Sequence, residues 1–132
     1  MRSTLLSLIL CVGLSACSDS VSSFHTDLKS AKQDIDRGWI PPILPSSTHA
    51  ISDTHNLDTN IGNGNFRFDP REIADFRLLG AQSVKLRPNP NSPQHKLQSE
   101  GFHFLKYKNE ASSWTLAIHE DGRGFYWLEN EK

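Results

Sequence analysis

Apolar positions recur at helical spacing in one early stretch, at Leu28, Ala31 and Ile35, and at period two in several later ones. The first spacing lays a stripe along one face of a helix, whereas strict alternation turns one face of a strand inward. Thr26 is placed to cap that helix, Asp27 sits at the positive end of its dipole, and Gly38 follows as the C′ residue. Prolines 41, 42 and 45 then forbid helix and hold the residues before them extended. Trp39, Ile40, Ile43 and Leu44 ride on this stiff segment. Arg37–Asn60 therefore predicts a buried crossing that seats a helical half on a sheet half, with Trp39 as a core anchor.

Within the crossing, Ser46 or Ser47 offers an N-cap to a short helix over Thr48–His55 with Ile51 inward. Asn56-Leu57-Asp58-Thr59-Asn60 follows, dense in side chains that bond their own backbone, which is turn chemistry. Asn63–Phe68 alternates with Phe66 and Phe68 on one face, a half-buried strand. Asp69-Pro70-Arg71-Glu72 is a helix start, with Asp at the N-cap and Pro at N1. Ile73, Phe76 and Leu79 continue that helix and Gly80 closes it. Ser83–Arg87 reads as a short strand, and Pro88–Pro93 as an exposed loop that cannot pair.

The last third predicts a meander. In Gly101–Lys108 the apolar residues change face between Phe104 and Leu105, which requires a bulge or cover on both sides. Trp114, Leu116 and Ile118 share one face of the next strand. Glu120–Gly124 is hairpin chemistry with glycine available for positive φ. Phe125–Glu129 closes the chain with Phe125 and Trp127 opposed to Tyr126 and Leu128. The architecture is α+β: short helices packed on an antiparallel sheet of about four or five strands, ending in a C-terminal β-meander.

The first residues change the picture of where this domain works. Arg2 is followed by an apolar run, Leu5–Leu14, too short to span a bilayer, which takes about 18 residues or more. Leu14-Ser15-Ala16-Cys17 then looks like a bacterial lipobox. It implies a signal peptide over 1–16, removed before Cys17, and acylation of that cysteine by fatty chains such as palmitate. The alternative is an ordinary secretory signal with a stray cysteine. Ser18 rather than Asp follows Cys17, which favours the periplasmic face of the outer membrane. Residues 17–25, rich in serine, read as a flexible tether, and 26–132 as one α+β domain.

Charge excludes more than it suggests. The 132 residues carry 14 basic and 15 acidic side chains, a formal net charge of −1. Interspersed charges of that balance leave no footprint for nucleic acid. Cys11 lies in the removed signal and Cys17 takes the lipid, so the exported domain has neither disulfide nor thiol chemistry.

A resemblance enters through particular residues. Arg37-Gly38-Trp39-Ile40-Pro41, Leu44-Pro45-Ser46-Ser47, Ile51, His55-Asn56-Leu57-Asp58-Thr59-Asn60 and the closing Gly122-Arg123-Gly124-Phe125-Tyr126-Trp127 resemble a family of small bacterial proteins, many of them lipoproteins, known for the YbbD head domain. The resemblance implies the fold and brings no catalytic mechanism with it. Candidate chemistry is confined to His49, Asp53, His55 and Asp58, whose nitrogen and oxygen atoms suit zinc. However, H-E-x-x-H is absent and no cysteine ligand remains, so capping and surface roles are the better account and no metal or other cofactor is expected. His55, Asn56, Asp58, Thr59 and Asn60 form either a ligand site or a structural turn, and the turn is favoured. Asp58 is the carboxylate placed to accept the turn's backbone N–H groups. No G-x-S-x-G elbow exists for a serine nucleophile. The aromatics Trp39, Trp114, Tyr126 and Trp127 could line a binding face, but alternating strand aromatics more often belong to a core.

These observations converge on a lipid-anchored cell-envelope protein without catalytic activity, a binding or accessory module for an envelope protein or cell-wall component. Two alternatives stay open: a periplasmic inhibitor or immunity protein, and a small hydrolase built on the His49–Asp58 region. The anchor is directly testable. Cys17→Ser is expected to abolish fatty-acid labelling and release the protein from the membrane fraction, or leave it unprocessed. Labelling and fractionation identical to wild type would show that Cys17 carries no lipid.

Overall fold

A computed structural model describes residues 19–87 and 89–129. The chain opens with β1 (Ser20–Asp27) and α1 (Leu28–Asp36), then crosses to the β2 (His49–Asn56) and β3 (Ile61–Arg67) hairpin. A 3₁₀ turn over Pro70–Glu72, α2 (Asp75–Leu78), the two-residue β4 (Gln82–Ser83) and α3 (Pro93–Ser99) precede the meander. That meander is β5 (His103–Lys108), β6 (Ser113–Ile118) and β7 (Arg123–Glu129). All seven strands form one antiparallel sheet in the order β1-β2-β3-β7-β6-β5-β4. The α+β class holds, and the sheet is larger than the four or five strands expected.

The additional strands come from two misread segments. Ser20–Asp27, expected as flexible tether up to residue 25 and as helix start at Thr26 and Asp27, pairs along its length with β2, from Ser20 opposite Asn56 to Asp27 opposite His49. Thr48–His55, expected to be helical, is β2 instead. Its inward positions are Ile51, Asp53 and His55, all buried, and two of the three are polar, which hid the period-two pattern. Hydrogen bonding to neighbours on both sides outweighs the local preference. Ala50 adopts φ +49° where the β2–β3 register shifts between His49 and Ser52, a bulge that re-aims the strand after the proline crossing.

Local signals elsewhere translate more directly. Asp27, not Thr26, caps α1: its Oδ1 accepts from Ser30 N at 2.8 Å while its own N–H donates to Ser30 Oγ at 3.2 Å. Those bonds hold the Asp27 carboxyl below its ordinary range. Gly38, at φ +80°, closes the helix, with Gly38 N and Trp39 N returning to Ile35 O and Asp34 O, as a left-handed C′ residue does. Asp69 caps the next helical segment through Arg71 N. That segment is split into the 3₁₀ turn and α2 rather than running through to Leu79. Val84 and Leu86 pack although only Gln82 and Ser83 pair, so the strand expected over Ser83–Arg87 is mostly irregular chain. α3 was not foreseen. Ser92 caps it, with Pro93 at its first turn.

The crossing is buried as expected, except at Trp39. Ile40, Pro41, Ile43, Leu44 and Pro45 are enclosed, while Trp39 is half-buried above the sheet. Thr48 Oγ1 donates to Pro45 O at 2.6 Å, and Glu72 accepts from Ser46 Oγ and Ser47 N at 2.8 and 3.0 Å. The crossing is thus clipped to the 3₁₀ turn. These hydrogen bonds, that from Ser47 first, hold the Glu72 carboxyl below its ordinary range.

Two apolar clusters flank the sheet. The larger lies under α1, the crossing and α2, and includes Ile40, Phe66, Phe76, Leu105, Trp114 and Tyr126. The smaller, Phe102, Phe104 and Ala117, is joined by Leu97 of α3 and by Phe125 and Trp127. Cover on both faces, not a bulge, explains the adjacent buried Phe104 and Leu105.

Glycines let large rings lie flat across neighbouring strands. Gly64 stands opposite Tyr126, and a Cβ there would meet the Tyr126 hydroxyl at 2.3 Å and Ser52 O at 2.4 Å. Gly124 stands opposite Phe66, whose ring would be 2.2 Å from an added Cβ. Strand glycine marks such close approach. Gly64→Ala is therefore expected to cost about 1–3 kcal/mol or more by overpacking, read as a lower urea midpoint. An unchanged midpoint would mean that the Tyr126 ring does not cross Gly64.

Candidate functional site

The polar residues of greatest chemical interest line one transverse row of the sheet. Ser23 pairs with Asp53, Asp53 with Gly64, and Gly64 with Tyr126. Because Gly64 has no side chain, Tyr126 reaches over β3 and donates its hydroxyl proton to Asp53 Oδ1 at 2.5 Å. Asp53 Oδ2 is enclosed and has no protein hydrogen-bond partner. Burial is the largest influence on Asp53 and raises its pKa from 3.8 to about 6, opposed by the Tyr126 hydrogen bond and assisted by the nearby Asp34 charge. Burial likewise raises the Tyr126 phenol, and the Asp53 charge adds to it.

Asp34 sits beside this row on α1 and is itself buried. It accepts from Ser23 Oγ at 3.2 Å and from Arg37 Nη1 at 3.3 Å, and its Oδ2 lies 2.8 Å from His25 Nε2. These bonds tie β1 to the helix. One row along, His55 lies beneath Trp39 with ring centroids 4.3 Å apart and planes at 14°. Arg37 places its guanidinium carbon 5.0 Å from the Trp39 ring centre, a cation–π arrangement. Burial keeps the His55 pKa below its ordinary value, and His55 Nδ1 has no partner. A Cβ at Gly62 would stand 3.0 Å from that nitrogen.

The four candidate ligands do not converge. His49 is exposed and lies 2.9 Å from Ser47 O through Nδ1, at the opposite end of β2 from Asp58. Asp53 is committed to Tyr126 and His55 to the Trp39 stack. Among the described residues no group of three or more His, Cys, Asp or Glu side chains is placed to hold a metal.

Asn56, not Asp58, builds the turn. Its Oδ1 accepts from Asp58 N and Thr59 N, each at 3.0 Å, while Asn60 N returns to Asn56 O and Asn60 adopts φ +53°. This is an Asx turn closed by a left-handed residue. The Asp58 side chain is exposed and hydrogen-bonds the Asp19 carboxyl, which raises its pKa. His55 is enclosed while Asn56 to Asn60 lie toward the surface, and a side-chain hydrogen bond between His55 and Asn60 links the sealed ring to the rigid turn. Cys17, the lipidation candidate, lies outside the described residues.

Sequence reasoning overlooked Gly64, His25 and Asp34, and took Tyr126 for a core or binding-face aromatic without its bond to Asp53. One signal was present: Gly62-Asn63-Gly64 in a strand marks places where another group must cross closely.

The fold and this row define a mixed α+β head with a sealed polar seam. Residues 19–67 match the family model of the YbbD head domain, so the segment from β1 to β3 is YbbD head-domain-like. That span contains Arg37–Asn60, whereas the closing Gly122–Trp127 motif lies outside it. The match points to an envelope-type bacterial protein. No curated protein and no solved structure matches the chain. Among the described residues no helix is long and apolar enough to cross a membrane.

The seam carries a pH signature. Between about pH 4 and 6 the folded chain holds a proton on Asp53 that the unfolded chain has released, so this group's contribution to stability falls as pH rises through that window. Asp53→Asn cannot ionise and is expected to lose this slope. Relative to wild type it should gain on the order of 3 kcal/mol from pH 4 to pH 7. Urea midpoints at pH 4, 5, 6 and 7 measure it, and parallel profiles for the two proteins would show that Asp53 is not held protonated.

Proposed function

We propose that this chain is a lipid-anchored envelope protein, acylated at Cys17 on the periplasmic face of the outer membrane, that works as a non-catalytic binding module. The observation that carries the reading is an apolar groove of 480 Å³ lined by Leu28, Leu44, Pro45, Ser46, Asp75, Leu78 and Leu79. Leu78 is 82% exposed and Leu79 48%, a concentration of solvated leucine at the end of a four-residue helix that packing alone does not require. A protein partner presenting an apolar segment would cover it.

The groups that could perform chemistry support the same reading. Asp53 and His55 are enclosed, and the groove does not reach them. A hydrolase built on His49, Asp53, His55 and Asp58 would need those side chains to converge, and their dispersal along β2 and its turn lends it no support. An inhibitor would use the same groove, differing only in what it binds.

Leu78→Asp combined with Leu79→Asp is expected to leave the melting temperature within a few degrees, since exposed substitutions usually change stability by about 0.5 kcal/mol or less. The double variant should lose, several-fold, a protein captured by wild type from detergent-solubilised envelope. Equal capture by both proteins would place the contact elsewhere. A captured lytic enzyme that is inactivated on binding would favour the inhibitor reading.

A further inference from the structure

Among the described residues the other exposed large apolar side chains, Val21, Phe24, Leu57 and Ile61, all belong to β1 and the β2–β3 hairpin. Two of them mark one end of the sheet. Leu57 is 54% exposed and Ile61 48%, flanking the turn that Asn56 makes rigid. β1 enters the sheet at the same end: Ser20 pairs with Asn56, and Leu57 N donates to Asp19 O at 2.9 Å. Cys17 is only two residues before Asp19, and extended chain reaches about 3.3–3.6 Å per residue. An acyl-bearing cysteine would therefore lie within about 7 Å of the Asp19 backbone. A tether this short leaves little slack between the domain and its membrane.

From this placement we infer that the turn end of the sheet is a lipid contact, with Leu57 and Ile61 entering the boundary between headgroups and acyl chains beside the acylated Cys17. The contact rests on the lipid-anchor reading above and adds an orientation to it. Asn60 of the turn borders a polar pocket with Lys108, Asn109, Glu110 and Glu129, groups of both signs suited to zwitterionic headgroups rather than to a strongly charged surface. Asp19 and Asp58 share a hydrogen bond there, a further link between the entry of β1 and the turn.

The rigid turn makes the contact inexpensive in entropy. Asn56 Oδ1 already fixes Asp58 and Thr59, so little backbone freedom is lost when the two apolar side chains enter lipid. Leu44 and Pro45 of the groove lead into β2 at His49, the far end from Asn56, a strand length of about 25 Å. A head docked by its Leu57 end turns the groove away from the bilayer it is anchored to.

The test uses the full chain, expressed, acylated and reconstituted in vesicles of phosphatidylethanolamine and phosphatidylglycerol. Leu57→Cys, Ile61→Cys and Leu78→Cys each carry an environment-sensitive fluorophore, and quenching by shallow spin-labelled lipid is measured beside the intact mass. With Cys17 acylated, the introduced thiol is the site of labelling. Positions 57 and 61 are expected to shift blue and to be quenched several-fold more than position 78. Acylated protein in which all three positions quench alike, or position 78 quenches more, overturns the contact and leaves the anchor standing. A mass without acyl chains at Cys17 overturns the anchor, and the contact with it.

Discussion

The hydroxyl of Tyr126 reaching Asp53 across a glycine is the interaction on which the rest of the structure depends. β3 and β7 are separated by more than fifty residues of sequence, and their pairing joins the N-terminal hairpin to the C-terminal meander. Long-range pairing carries a loop-closure cost that local propensity does not repay. Here the seam is held by ring packing over Gly64 and Gly124 and by a buried hydrogen bond reaching a third strand. Replacing either glycine with a larger residue puts a side chain where an aromatic ring already lies. The one seam therefore governs register on both sides.

A buried carboxyl at this position has its own consequence. An ionised Asp53 would have to be desolvated with one oxygen unpartnered, and the environment answers by raising its pKa instead. The protein tolerates the arrangement because Tyr126 satisfies Oδ1 and because Asp34 draws His25, Ser23 and Arg37 into the same region. Arg37 also covers Trp39, and Trp39 covers His55. Helix, crossing and three strands are thus joined by polar and stacking contacts at the place where a purely apolar core would have been simplest. Such contacts specify register more sharply than leucine does, because a slip of one residue turns every one of them out of the sheet.

The two ends of the sheet have been given different surfaces. At one end stand the entry of β1 and the Asx turn with Leu57 and Ile61. At the other, the proline crossing meets β2, and Leu44, Pro45 and α2 border an apolar groove. Short connections and a rigid turn fix the relation between these surfaces, so anchoring one end orients the other.

The sequence by itself determined the elements whose signals are local. Asp69-Pro70, Gly38 and Gly122 fold as capping and turn chemistry dictates, because each depends on a few adjacent backbone groups. The alternation of Trp114, Leu116 and Ile118, and the face change at Phe104–Leu105, announced strands and cover on both sides. Tertiary structure alone decided the remainder. Ser20–Asp27 has the composition of a linker and becomes a strand only because β2 offers its edge. Thr48–His55 shows few apolar residues, and its polar inward positions are acceptable only once Tyr126 and Trp39 arrive from elsewhere in the chain. Asp58 looked like the scaffold of its turn, but Asn56, two positions earlier at the end of β2, has the geometry to accept both N–H groups. Trp39 looked like core and became a cover for His55, since burial depends on what lies beneath a side chain and not on its size. Pairing partners, and the sealed seam they create, are relations between distant residues that no local pattern can carry.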